Sequence, residues 1–278
     1  RIHDLAWAAG DSQAKGFLIG ATSGRTTLNG EGLQHQDGHS HILSSTIPNC
    51  LSYDPSFSYE IAVIIKDGIQ KMFVEQKNYF YYITTMNENY EHPPMPKGSE
   101  EGIIKGMYKL LDSKKPAIRL LGSGSILNES IKAKDLLTNY GIESEVWSVT
   151  SFNLLRKDGM EIERKNQLNP TKEEQKTYVE ECFEDSSIPV VASTDYMRSY
   201  AEQIRPYVRS DYTVLGTDGF GRSDSRENLR EFFEIDANSI VRAAAYTLYK
   251  NSVLKKSELK KIYDDIEVDP LKPNPWEV

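Results

Sequence analysis

Residues 117–125 are AIRLLGSGS, an apolar run that ends in a turn of glycines and serines. The run predicts a buried strand over 117–121, and the glycines predict a tight turn into a helix from about 126 to 140. A strand that passes through such a turn into a helix is the repeating unit of parallel α/β sheets. This part of the chain therefore predicts an α/β fold.

The same alternation continues to the end of the chain. Further strands are predicted at 145–149, 189–193 and 212–216. Helices are predicted at 151–165, 171–184 and 195–205, the last capped by Thr194 or Asp195, and shorter helices at 225–233, 236–250 and 256–265. Four strands with helices between them predict one doubly wound domain.

A similar pattern precedes this domain. We predict a helix over 2–19, a strand over 49–53, a helix over 56–73 and a strand over the aromatic run 79–85. These elements predict the last part of a second parallel sheet. Pro93, Pro94 and Pro96 interrupt both helix and strand, so we place a domain boundary there, between residues 1–95 and 96–278.

Composition excludes some classes of function. The 278 residues include 33 basic and 41 acidic side chains, a formal charge of −8, which argues against nucleic-acid binding. No apolar run approaches the roughly 20 residues of a membrane helix. The two cysteines, Cys50 and Cys182, stand far apart and indicate a reducing compartment. The chain begins with Arg1 rather than Met, and inside an element, so we expect a piece of a longer protein.

Three of the five histidines lie in the glycine-rich segment 30–41. His35, His39 and His41, with Asp37 or Glu31, could ligate a metal ion. The same residues could instead form an acid/base site, or a polar loop in which the histidines cap nearby carbonyl groups. Gly32 and Gly38 disfavour a continuous helix, and with it the metal site. Residue types alone leave all three hypotheses open.

Two further loops could bind anions. The turn Gly122–Ser125 exposes amides before a helix, but a tight turn with a serine cap explains it as well. In the loop 217–226, Arg222 and Arg226 could bind a carboxylate or phosphate, yet we favour an interface role, with serines 223 and 225 capping the next helix. The tyrosines at 79–82 are interpreted as sheet core and dimer contact.

Several segments together resemble the homodimeric-type E1 family of bacterial pyruvate dehydrogenase, a group of transketolase-like thiamine diphosphate enzymes. They keep order and spacing over nearly the whole chain. The matching segments are TSGRTTLNGEGLQH (22–35), DGHSH (37–41), PNC (48–50), YDP (53–55), YYITTMNENY (81–90), LLGSGSIL (120–127), SVTSF (148–152), ASTDYM (192–197) and LGTDGFGRSDSRENL (215–229).

The resemblance implies the last part of a pyrimidine-binding domain over 1–95 and a transketolase-type C-terminal domain over 96–278. It implies a cytoplasmic, homodimeric oxidoreductase that decarboxylates pyruvate with thiamine diphosphate and Mg²⁺. The acetyl unit then passes to the lipoyl group of the partner E2, dihydrolipoyl acetyltransferase. Partners of the longer protein are thus E2 and a second E1 subunit, with no nucleic acid and no membrane.

Within this resemblance, His35 matches the active-site histidine and Glu31 an acidic residue of the same pocket. A histidine suits hydrogen bonding to a developing oxyanion and proton transfer near neutral pH. His39 and His41 are given only a role in ordering the loop.

The family's Gly-Asp-Gly…Asn metal motif has no counterpart, since the strings at 66–68 and 157–159 are KDG. We therefore assign no metal ligands and no cofactor-binding residues, and expect the chain alone to be inactive. The alternative is a non-catalytic dimerisation or assembly module.

Overall fold

The computed structural model describes residues 2–278, with side chains from residue 3. Arg1 lies outside the described residues. The expectation of a longer protein, which rests on this residue, is therefore not tested by the structure. The fold contains two sheets. None of the helices in the described range is long and apolar enough to cross a membrane.

The first sheet has three parallel strands in the order β1-β3-β2. Its strands are β1 (Phe17–Ala21), β2 (Cys50–Tyr53) and β3 (Phe80–Thr85). The helices are α1 (Ile2–Asp11), α2 (Ser40–Ser44) and α3 (Ser58–Ile69), the last continued by a π-helical turn at Gln70–Val74. The predicted strands at 49–53 and 79–85 and the helix at 56–73 are confirmed.

The predicted helix over 2–19 is wrong in its second half. The helix ends at Asp11, and β1 lies beside β3 with Phe17 opposite Tyr81. Gln13 adopts a positive φ of 59°, which no continuing helix allows. The apolar spacing of this segment fits a helix, but pairing with the aromatic strand β3 makes it a strand.

The second sheet has five strands in the order β4-β6-β5-β7-β8. Strands β5 (Ile118–Gly122), β6 (Ser144–Val149), β7 (Val190–Ser193) and β8 (Tyr212–Leu215) are parallel and confirm the four predicted strands. Sequence reasoning missed α4 (Glu100–Lys105) and the edge strand β4 (Met107–Leu111), which runs antiparallel to β6. The predicted domain boundary near residue 95 falls in the segment 86–99, which has neither helix nor strand.

The helices of this second part are α5 (Leu127–Asn139), α6 (Phe152–Leu168), α7 (Tyr178–Cys182), α8 (Ser199–Glu202), α9 (Arg226–Phe232), α10 (Ala237–Lys250) and α11 (Lys256–Asp265). Two predictions were too long. Of 171–184 only α7 is helical, because Thr177 starts the helix by accepting a hydrogen bond from the Glu180 amide at 3.2 Å. Of 195–205 only α8 is helical, and neither Thr194 nor Asp195 caps it.

Both faces of the second sheet are buried. Leu121 packs with Phe152 and Tyr200 on one face, whereas its neighbour Leu120 packs with Val191 and Ala244 on the other. Adjacent residues of a strand point to opposite faces, so an uninterrupted apolar run is what a sheet covered on both sides requires.

The two sheets meet at the carboxyl ends of their strands. The Asp54 amide, just after β2, donates to the Thr150 carbonyl after β6 at 2.8 Å, and the Gly124 amide donates to the Asp54 carbonyl at 3.2 Å. The Ser151 hydroxyl donates to the Ser52 carbonyl at 2.6 Å. Ligands of α/β sheets commonly bind at this end of the strands, so the junction is where a site is expected.

The turn after β5 leaves no room for a side chain at Gly122. A methyl group there would lie 2.5 Å from Leu127 Cα and 3.0 Å from its amide nitrogen. We expect Gly122→Ala to lower the free energy of unfolding in urea by about 1–3 kcal/mol, the usual cost of overpacking.

The matched control is Gly16→Ala, since an added methyl there meets nothing within 4 Å. It should change the stability by less than about 1 kcal/mol. Equal losses of stability in the two variants would show that the close approach of Leu127 to Gly122 does not cause the destabilisation.

Candidate functional site between the two sheets

Asp195, which follows β7, joins the two sheets through its carboxylate. It accepts hydrogen bonds from the Thr26 amide at 3.0 Å and the Thr26 hydroxyl at 2.6 Å. It also accepts from the Thr27 amide at 3.3 Å and the Thr27 hydroxyl at 2.7 Å. Burial raises the pKa of Asp195, while these donors and Arg230 favour its charged form. The loop after β1 is thereby fixed to the end of β7.

Two buried arginines complete this contact. The Arg25 guanidinium donates to the Gly219 carbonyl and lies over the Phe233 ring, with 5.8 Å from Cζ to the ring centroid. Arg230 binds both carboxylate oxygens of Glu88, one of them at 3.0 Å, and approaches Glu129 at 3.5 Å. The charge of Arg230 is therefore paired with carboxylates, as a buried charge requires, whereas Arg25 has no carboxylate within salt-bridge distance among the described residues.

Asp54 and His41 form a second buried group, connected through Thr84. The Thr84 hydroxyl donates to Asp54 Oδ1 at 2.8 Å and lies 3.0 Å from His41 Nε2. Burial raises the pKa of Asp54 to about 7, against hydrogen bonds from Thr84 and Ser123. Burial also lowers the pKa of His41 to about 4, although the charge of Asp37 opposes this shift. The Asp54 carboxyl is therefore largely protonated in mildly acidic solution, and His41 is neutral.

His41 is packed among aromatic rings. Its ring stacks on Tyr200 at 4.8 Å between centroids and meets Tyr196 edge-on at 4.7 Å. The side chain is fully buried, and among the described residues its Nδ1 has no hydrogen-bond partner. This position fits the predicted role of His41 in ordering the loop.

The turn Gly122–Ser125 faces a carboxyl group of the protein itself. A Cβ on Gly124 would lie 2.8 Å from Asp54 Oδ2, and all four turn residues are buried. Ser123 does not cap the following helix, as predicted for a serine here, because its hydroxyl lies 3.0 Å from the Thr194 hydroxyl. The Gly124 amide donates to the Asp54 carbonyl at 3.2 Å, so this amide is already used within the protein. Anion binding at this turn stays a hypothesis.

His35 and Glu31, the predicted catalytic residues, lie on the surface. His35 ends a short 3-10 turn, Leu33–His35, and both side chains are exposed. His39 is exposed as well, and Asp37 accepts from its amide at 3.0 Å and from the Ser40 amide at 2.9 Å.

With His41 buried and His35 and His39 exposed, the three histidines do not come together as the alternative of a metal centre would require. No group of three His, Cys, Asp or Glu side chains able to hold a metal ion is found between residues 2 and 278. The hypothesis of a metal ion at this loop therefore has no support in the geometry.

The loop 217–226 contacts the loops of the first sheet, as the interface interpretation predicted. Arg226 Nε donates to the Thr27 carbonyl at 2.9 Å, and the Gly30 amide donates to the Asp224 carbonyl at 3.0 Å. Ser225 caps α9 by accepting from the Asn228 amide at 3.3 Å.

Strand β3, which carries Tyr81 and Tyr82, lies in the hydrophobic core of the first sheet. Tyr81 is fully buried there and stacks parallel to Tyr53 at 6.0 Å. The dimer contact that we also assigned to this strand stays a prediction.

Sequence reasoning did not single out Asp54 or Thr84, and considered Asp195 only as a helix cap. A usable pattern was present, because Asp54, Thr84 and Asp195 stand at or just after the ends of parallel strands. Polar residues at that position converge on one edge of an α/β sheet.

Comparison with known proteins agrees with this geometry. Residues 1–93 match the family described as the pyruvate dehydrogenase E1 component middle domain. Residues 106–236 match the transketolase-like C-terminal domain family. The pyruvate dehydrogenase E1 component of Pseudomonas aeruginosa is 58% identical over 280 aligned positions, which cover 99% of this chain and 32% of that protein.

Two solved structures share the fold. Transketolase from Pichia stipitis, in complex with sedoheptulose-7-phosphate, superposes with a TM-score of 0.65 at 17% identity, over 92% of this chain and 35% of that one. A split-gene transketolase described as an inactive β4 tetramer has a TM-score of 0.55 at 14% identity, over 84% of this chain and 66% of that one.

The parallel sheets and these structural neighbours place the chain in the class of transketolase-like α/β proteins. Within that class it belongs to the pyruvate dehydrogenase E1 family, as its two family matches and its identity with the Pseudomonas protein show. The chain spans about a third of the length of the curated relatives it matches, 32% in the case of Pseudomonas.

The raised pKa of Asp54 makes stability depend on pH. The folded chain keeps a proton that the unfolded chain releases above its usual pKa of 3.8, so raising the pH from about 4 to about 7 favours unfolding. We expect the free energy of unfolding to fall over this range by up to about 4 kcal/mol more in the unsubstituted chain than in Asp54→Asn.

Denaturant titrations at half-unit pH intervals measure this difference. The isosteric amide keeps an acceptor for Thr84 and cannot titrate, so it isolates the proton on Asp54. Parallel pH profiles for the two proteins would mean that Asp54 is already ionised at pH 4.

Proposed function

We propose that this chain is the C-terminal third of a pyruvate dehydrogenase E1 subunit. That subunit decarboxylates pyruvate and transfers the acetyl unit to the lipoyl group of E2. The observation that carries the proposal is the 58% identity with an E1 component over 99% of the chain. We also propose the domain division at residues 1–95 and 96–278, a second E1 subunit and E2 as partners, and a cytoplasmic location.

Thiamine diphosphate and Mg²⁺ are assigned to the full-length protein and not to this chain. The described residues do not fit the metal, since no set of three suitable ligands is found among them. Thiamine diphosphate supplies the electron sink for decarboxylation of a 2-oxo acid. We assign the residues that hold it to the part of the full-length subunit outside this chain.

His35 and Glu31 are the residues of this chain that we propose to act on the substrate. His35 lies at the end of a turn beside the junction of the sheets, and its side chain is exposed, so a bound molecule can reach it. Its imidazole can donate a hydrogen bond to an oxygen of pyruvate or hold and release a proton there. Glu31 provides an exposed carboxylate four positions earlier on the same loop.

A second candidate is a non-catalytic dimerisation or assembly role for the chain by itself. The observation that favours it is the exposed strand β1, in which Leu18 and Ile19 are 44% and 52% exposed. Exposed apolar residues on an edge strand commonly mark a surface that another protein segment covers. The split-gene transketolase of similar fold, described as inactive, is consistent with a piece that assembles without catalysing.

His35→Ala in the full-length subunit tests the catalytic assignment. General acid/base groups typically contribute about 10²–10⁴-fold, so we expect turnover of pyruvate to fall by about 10²-fold or more. His39→Ala is the matched control, because His39 is exposed on the same segment and should leave turnover within a few-fold. Unchanged turnover in His35→Ala would remove His35 from the mechanism.

The isolated chain should have no pyruvate dehydrogenase activity. Ferricyanide-coupled turnover is measured with added thiamine diphosphate and Mg²⁺, and the full-length subunit serves as the positive control. We expect the signal of the chain to equal background, because no group able to hold the metal ion is found in the part of the chain that the structure describes. Turnover above background would contradict the assignment of the cofactor to residues outside the chain.

A further inference from the structure

The loop that carries His35 is attached to the second sheet at several points. The Gly30 amide donates to the Asp224 carbonyl at 3.0 Å, and the Met197 amide donates to the Gly38 carbonyl at 2.9 Å. These bonds hold the two ends of the segment 30–38. The imidazole of His35 is exposed between them, so a further contact must set its position.

Gln36, the residue after His35, makes that contact. In contrast to its exposed neighbours Gln34 and His35, it is only 6% exposed. Its Nε2 donates to the Arg222 carbonyl at 2.5 Å, and its Oε1 accepts from the Arg222 amide at 2.8 Å. The side-chain amide thus pairs with both backbone groups of one residue, as a neighbouring strand would.

The side-chain amide of Gln36 is also closely surrounded at both its nitrogen and its oxygen. Gln36 Nε2 also lies 3.4 Å from the Leu28 carbonyl, within the loop that binds Asp195. On the other side, a Cβ on Gly221 would lie 2.5 Å from Gln36 Oε1 and 2.9 Å from the Leu33 carbonyl. The loop 217–226 can therefore approach the His35 turn this closely only with glycine at position 221.

We propose that Gln36 is a positioning residue for His35, holding the loop that bears the imidazole against the backbone of Arg222. The proposal rests on the catalytic role proposed for His35. Displacement of a catalytic group by about 1 Å can cost about 10²-fold in rate. A residue of the second sheet's loop thus determines where a side chain of the first sheet's loop meets the substrate.

The test compares Gln36→Met with Gln34→Met in the full-length subunit. Methionine has nearly the same length as glutamine but cannot form the paired hydrogen bonds. For Gln36→Met we expect kcat to fall about tenfold or more and KM for pyruvate to change less than threefold. Amide hydrogen exchange in the segment 30–38 should become at least fivefold faster. Gln34→Met should match the unsubstituted enzyme in all three measurements.

A kcat within twofold of the unsubstituted enzyme overturns the proposal. So does a lower melting temperature with unchanged kcat of the folded enzyme, which would indicate a purely structural role. If Gln36→Met does not fold, Gly221→Ala displaces the same amide from the opposite side and is judged by the same three measurements.

The failure of this proposal can be told apart from failure of the proposed function. If His35→Ala retains full turnover, the role of His35 is lost. The exchange rates of the segment 30–38 still report whether Gln36 holds the loop. If His35→Ala loses turnover and Gln36→Met does not, only the positioning role is wrong.

Discussion

The arrangement of the whole chain depends on one buried carboxylate, that of Asp195. A charged group without water needs donors, and Thr26 and Thr27 provide four within 3.3 Å. These donors belong to the loop after β1, whereas Asp195 belongs to the end of β7. The buried polar groups of each sheet at this point are therefore satisfied by the other sheet. The same contact positions the loop that continues to His35.

Two further buried carboxyl groups, those of Glu60 and Asp54, lie along the junction. Glu60 at the start of α3 accepts from the Tyr108 hydroxyl at 2.7 Å and the Ser148 hydroxyl at 2.6 Å, both from the second sheet. Asp54 contacts the turn after β5. Burial raises the pKa of each of the three groups. For Asp195 and Glu60, hydrogen bonds across the junction offset this desolvation and give the interface a defined geometry that apolar packing alone would not impose.

Sequence patterns predicted the α/β class and six of the eight strands in the described residues, because each of these six lies in a short apolar or aromatic run. Strand β1 was assigned to a helix because its apolar spacing fits both periods, and only the aromatic partner β3 distinguishes them. Strand β4 was missed because it pairs antiparallel with the distant strand β6, where Met107 lies opposite Val149. The helix predicted from residue 195 fails because Asp195 uses its carboxylate on Thr26 and Thr27 rather than on its own amides.

By itself the sequence determined the α/β class, the order of most elements, and the segment that carries His35 and Glu31, because these follow from local periodicity, turn residues and motif resemblance. Only the tertiary structure decided which of three neighbouring histidines is buried and that Gln36 binds the backbone of Arg222. It also decided that the turn at Gly124 lies against the Asp54 carboxyl. The physical reason is that burial and hydrogen-bond partners arise from residues far apart in the chain, which no local pattern records.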